Sequence, residues 1–113
     1  MVDLSEKHCL ACEGGVQPLD VKAVQSLLTQ LPDWQVDDAK QTITCTFEFK
    51  DYFQTMAFVN AIAWISHHEN HHPDLSVGYN RCCVNYTTHA INGLSENDFI
   101  CATKVDRIYR YDK

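Results

Sequence analysis

Five of the six histidines fall in two places: His67, His68, His71 and His72 within one stretch, and His89 further along the chain. Imidazole has the side-chain pKa nearest neutrality, so a group of them can hold both a donor and an acceptor of protons near pH 7. Pro73 biases the residue before it away from helical conformation. His71 and His72 therefore leave a helix end at a fixed direction and can point into a cleft. His67 and His68 read equally well as the solvated polar end of that helix.

Other chemistries are tested by the same residues. His68-Glu69-Asn70-His71-His72 spells HExxH, which binds zinc only when both histidines stand one turn apart on a continuous helix. The bias that Pro73 puts on His72 breaks that geometry. Cys9-Leu10-Ala11-Cys12 is a CxxC, half of a zinc site, with no second pair nearby to complete it. A glycine-rich phosphate loop and a Gly-x-Ser-x-Gly elbow are both absent from the sequence. What remains is acid–base chemistry on a small organic molecule, without covalent or metal help.

The chain that must position these groups has 113 residues, 45% hydrophobic and 21% charged, enough for one domain and unlike a disordered segment. Its formal charge of −6 disfavours general contact with nucleic acid or an anionic membrane. The longest apolar run, Met56 to Ile65, is interrupted at Asn60 and falls short of the ~20 residues of a membrane span. The first ten residues hold Asp3, Glu6 and Lys7 and no apolar signal core. Cys45, Cys82, Cys83 and Cys101 sit inside apolar patterns as small core residues, so reduced thiols and a cytoplasmic location are expected.

Residues 1–18 read as an N-terminal arm and 19–113 as a single domain. Val24, Leu27, Leu28 and Leu31 form one helical stripe over Leu19 to Leu31, with Asp20 as cap and Pro32 as stop. Trp34 to Val36 and Gln41 to Lys50 read as strands, the second alternating Ile43, Cys45, Phe47 and Phe49 inward. Tyr52 to His68 reads as a helix apolar around most of its circumference, more than one sheet face requires. Leu75 to Tyr79 and Arg81 to His89 read as two further strands. Ser95 opens the last helix, to about Tyr109, through a capping-box variant with Asp98 at its third position. The pattern predicts an α+β fold: a four-stranded antiparallel sheet with three helices on one face.

His71-His72-Pro73, then Tyr79, His89 and Asp98 at six, ten and nine residues' spacing, resemble the signature of the pterin-4a-carbinolamine dehydratases. Pro32-Asp33-Trp34, Phe47 to Phe53 and Gly93 to Asp98 are similar to flanking pieces of that family, and the resemblance spans Leu19 to Tyr109. The arm resembles that of bacterial members associated with phenylalanine hydroxylase. The resemblance implies a hydro-lyase that removes water from 4a-hydroxytetrahydrobiopterin to give the quinonoid dihydropterin. It would thereby recycle the cofactor of aromatic amino acid hydroxylases, without a metal or organic cofactor. It further implies a cytoplasmic homodimer or homotetramer and a functional link to phenylalanine hydroxylase.

By the same resemblance His71 and His89 are the acids serving the hydroxyl, His72 holds the pterin, and Asp98 supports the site from behind. The base for N5 is then one of these imidazoles in its neutral form, or water. Thr87 and Thr88 either hydrogen-bond the pterin edge or are ordinary strand threonines. Tyr79 is expected to shape the cleft, and Trp34 to be core rather than a ligand platform. In one departure, the position four before His71, often acidic in the family, is His67. A second reading of the chain is a non-catalytic dimerising partner or regulator.

Overall fold

Two of the three helices begin on an aspartate, and the third on a serine that an aspartate closes from within. In the computed structural model, which describes residues 3–10 and 17–111, Asp20 accepts the Ala23 amide at 2.8 Å to open α1 (Val21–Leu28). Asp51 does the same for Gln54 at 2.9 Å to open α2 (Tyr52–Glu69). At α3 (Glu96–Tyr111) the expected capping box is present. The Asn97 amide donates to Ser95 Oγ at 3.2 Å, and the Ser95 amide donates back to Asp98 Oδ2 at 3.0 Å. The regular part of α1 is shorter than its apolar stripe, because i→i−3 bonds take over from Thr29 to Leu31. Leu31 is nevertheless buried with Val24.

Four antiparallel strands pair in the order β1 (Gln35–Val36), β2 (Ile43–Glu48), β4 (Arg81–Tyr86), β3 (Asp74–Val77). Cys45 faces Val84 and Phe47 faces Cys82 across the central pair. The inward set Ile43, Cys45, Phe47, Cys82, Val84 and Tyr86 joins Phe58 and Ile62 of α2 and Phe99 and Val105 of α3 in one core. The helices thus cover one face of the sheet, as the alternation requires. Trp34 is core, its indole N–H donating to Asp106 at 2.9 Å. Cys45, Cys82 and Cys101 are buried free thiols, and burial pushes Cys45 up to about 12 and Cys82 to about 11. Cys83 departs from the expectation: it is half-buried on the outer face, because it has the opposite parity to Cys82.

The second strand is shorter than expected at both ends and the third ends at Val77 rather than Tyr79, but two other element ends matter for the site. The fourth strand stops at Tyr86, not His89. Thr88 instead makes an isolated bridge with Gly93, and His89–Ile91 form a 3₁₀ turn. Helix α2 is stopped three residues before Pro73 by Asn70, which takes the left-handed conformation (φ 52°, ψ 42°) and bonds its N–H to Ser66 O. Only one stripe of α2 is buried, by Thr55, Phe58, Ile62 and Ile65. Phe53 (81% exposed) and Trp64 (64%) lie on its uncovered side. No helix among the described residues is long and apolar enough to cross a membrane.

Candidate active site

The left-handed Asn70 swings the chain off α2, and the next residue, His71, keeps its own amide on Ser66 O at 3.3 Å. Its imidazole lies flat against the ring of Tyr86, with centroids 5.8 Å apart and an interplanar angle of 11°. Nε2 meets Asp98 Oδ1 at 2.6 Å, and Asp98 is fully buried. The other carboxylate oxygen accepts from the Thr88 hydroxyl at 2.7 Å and from the Ser95 amide at 3.0 Å. Ser95 Oγ lies 2.8 Å from Thr88 Oγ1. Since the Thr88 proton goes to Asp98, the Ser95 hydroxyl donates to Thr88 and itself accepts the Asn97 amide.

The Thr88 hydroxyl and the Ser95 amide both donate to Asp98, and a carboxylate, which can only accept, requires the same of His71. His71 then carries its proton on Nε2, and Nδ1 is the nitrogen left for chemistry. Nδ1 accepts a proton when the ring is neutral and gives one when it is charged. The carboxylate fixes the ring's tautomer and orientation, and Tyr86 fixes its plane.

A cavity of about 440 Å³ opens in front of this pair, within the range of small-molecule sites. His71, His72 and His89 all line it, as do Thr87 and Thr88. His72 and His89 are exposed, and His72 Nδ1 lies 3.3 Å from Pro73 O. The two threonine hydroxyls are already engaged, Thr88 on Asp98 and Thr87 on the Gln41 carbonyl. Thr88 therefore acts on the carboxylate rather than donating to a ligand. Of the two helix-end histidines, His68 reaches the cavity wall and meets Trp64 edge-on, while His67 lies tilted to the same ring. Tyr79 is not part of the wall: it sits 67% exposed in the β3–β4 turn.

Glu69, the glutamate of HExxH, faces neither histidine of that motif. Oε1 accepts the Cys9 amide at 2.8 Å and Oε2 lies 3.0 Å from His8 Nδ1, with Lys104 Nζ at 3.9 Å. Burial alone would push its carboxyl up, but the Cys9 N–H, His8 and Lys104 together hold it below the usual value. Among the described residues no three His, Cys, Asp or Glu side chains converge as metal ligands would. Cys12, the second thiol of the CxxC, lies outside the described residues.

Sequence reasoning passed over Tyr86, whose ring lies parallel to that of His71, and gave Asn97, Glu69 and the arm residues Cys9 and Leu10 no place on this cavity, which all four line. Strand alternation places Tyr86 in the core but says nothing of the ring it supports. Asn97 was visible as a first-turn residue of α3. No periodic signal ties the arm to a site sixty or more residues away.

Residues 17–108 match the family model described as pterin 4 alpha carbinolamine dehydratase. A protein of Nitrosomonas eutropha that carries this dehydratase's name is 61% identical over 107 residues, covering 94% of this chain and 93% of the relative. A namesake from Legionella pneumophila (strain Corby) is 54% identical over 107 residues, 94% and 95% of the two chains. Among solved structures, the transcriptional coactivator/pterin dehydratase of Brucella melitensis superposes with a TM-score of 0.79 at 32% identity. That match covers 82% of this chain and 99% of the other.

Proposed function

Because the chain belongs to the pterin 4 alpha carbinolamine dehydratase family, we propose that its cavity removes water from a 4a-hydroxytetrahydropterin. The product is the quinonoid dihydropterin. The observation that carries this reading is the meeting of His71, His72 and His89 on one cavity, with His71 held from behind by buried Asp98. Breaking the C4a–O bond needs a proton on the departing oxygen, while N5 must lose its proton to form the new C4a=N5 bond. The two transfers balance as one water. His71, through Nδ1, and His89 serve the oxygen, and His72 holds the ring. The N5 proton leaves to an imidazole in its neutral form or to water. Positioned imidazoles of this kind contribute about 10²–10⁴ in rate.

At the finer level, the substrate is the biopterin form, and the chain works in the cytoplasm beside phenylalanine hydroxylase as a homodimer or homotetramer. The uncovered apolar side of α2, with Phe53 and Trp64, supports that self-association.

The test mixes the protein with freshly generated 4a-hydroxytetrahydropterin and follows the absorbance of the quinonoid product against the buffer rate. His71→Ala and His89→Ala should each lower kcat by about 10²–10⁴ with the circular dichroism spectrum retained. Unchanged turnover in the double variant overturns the assignment. An unmodified protein no faster than buffer would return the chain to the reading of a non-catalytic partner.

A further inference from the structure

Residues 4–10 of the arm are fastened at successive points. Leu4 is fully buried in the core, and Lys7 pairs with Glu96. His8 and the Cys9 amide hold Glu69 at the end of α2. Leu10 is held in both directions by one side chain: its amide donates to Asn97 Oδ1 at 3.0 Å, and Asn97 Nδ2 donates to its carbonyl at 2.6 Å. A neighbouring strand makes the same exchange. Asn97 is itself only 7% exposed, so its amide is rigidly seated.

The arm is thereby tied to the end of α2 and the start of α3, the elements that lead into His71 and carry Asp98. The side chain at the end of this tether is apolar, 79% exposed, and on the wall of the cavity. A lone exposed leucine needs no explanation. A leucine whose backbone is pinned by a buried amide at the mouth of a histidine-lined cavity does. The proposed ligand is a bicyclic ring, puckered at C4a and its saturated carbons, polar along its edges and apolar on its faces. Imidazoles suit its hydroxyl and its nitrogens, but the other described residues on the wall are mostly polar.

We infer that Leu10 is a substrate-contacting residue that covers a face of the bound pterin ring, held in place by Asn97 and Glu69 as positioning residues. The inference rests on the dehydratase reading. It makes the arm, which lies outside the matched family region of residues 17–108, part of the binding site.

The experiment compares unmodified protein, Leu10→Ala, Asn97→Ala and the double variant. One readout is steady-state turnover of 4a-hydroxytetrahydropterin. The other is equilibrium binding of 7,8-dihydrobiopterin, followed by quenching of tryptophan fluorescence. Leu10→Ala should raise KM and Kd about five- to tenfold through lost apolar contact, with kcat within about twofold. Asn97→Ala should do the same, and the double variant should be no worse than the singles, since both remove one contact. KM and Kd of Leu10→Ala within about twofold of an active unmodified protein overturn the inference and leave the dehydratase reading standing. An unmodified protein that neither turns over nor binds overturns both.

Discussion

Asp98 holds three bonds that do different things. Toward His71 it fixes a ring; toward the Ser95 amide it closes the cap of α3; toward Thr88 it ties down the bridge to Gly93. A neutral amide in its place must turn a donor toward at least one of these donors. Asp98→Asn is therefore expected to lower kcat by about a hundredfold and to cost about 1–3 kcal/mol in urea unfolding. Thr88→Val removes one donor and leaves the histidine bond in place. It should cost about 1 kcal/mol of stability while reducing kcat by less than about tenfold. Equal losses of activity in the two variants would mean that the His71–Asp98 bond is not the part that matters. At this scale the sequence was informative about the cavity's histidines, since imidazoles beside a proline are uncommon and chemically pointed. It was poor on hydroxyls: nothing local to Thr87-Thr88 distinguishes a ligand donor from one spent on a carboxylate ten residues away.

Helix and strand interiors were legible because burial imposes a period on them, as in Ile43, Cys45 and Phe47 or in Val24 and Leu31. Their ends were not. Arg81 to His89 keeps its alternation past the point where the strand stops, and the stop is set by a bridge to Gly93 that no local pattern announces. At α2 the proline drew attention, while the left-handed asparagine before it ends the helix. The arm, without periodicity, was legible only as an arm. Its attachment to Glu69 makes a pH prediction. With its folded value held below its ordinary 4.5, Glu69 contributes stability that is complete above that pH and lost as pH falls through the lower folded value. Hydrogen-exchange protection of the Cys9 amide, corrected for intrinsic rates, should therefore fall below pH 4.5. In Glu69→Gln it should already be weak at neutral pH. Protection unchanged across the acid range in the unmodified protein would show that the carboxylate does not hold the arm.

For the molecule as a whole, the chain enters the domain over the link that leads into α3. The Leu19 amide donates to Leu94 O at 2.9 Å, and a Cβ at Gly93 would lie 2.7 Å from Pro18 Cβ. Gly93→Ala must push two backbones apart, and about 1–3 kcal/mol of destabilisation is expected by denaturant unfolding. An unchanged midpoint would mean that Pro18 yields freely. The resemblance already placed Gly93 beside Ser95 and Asp98, but the reason for a glycine there became visible only with Pro18 packed against it.

The aspartate that steadies the imidazole also closes the cap of the last helix. A lineage that abandoned the reaction would still be under pressure to retain that aspartate, because its descendants must fold. Its presence in a distant cousin is thus poor testimony to enzymatic competence. The exposed ring of His89 has no hydrogen bond among the described residues to protect it from drift. Its replacement is the first trace that a retired enzyme of this kind would leave.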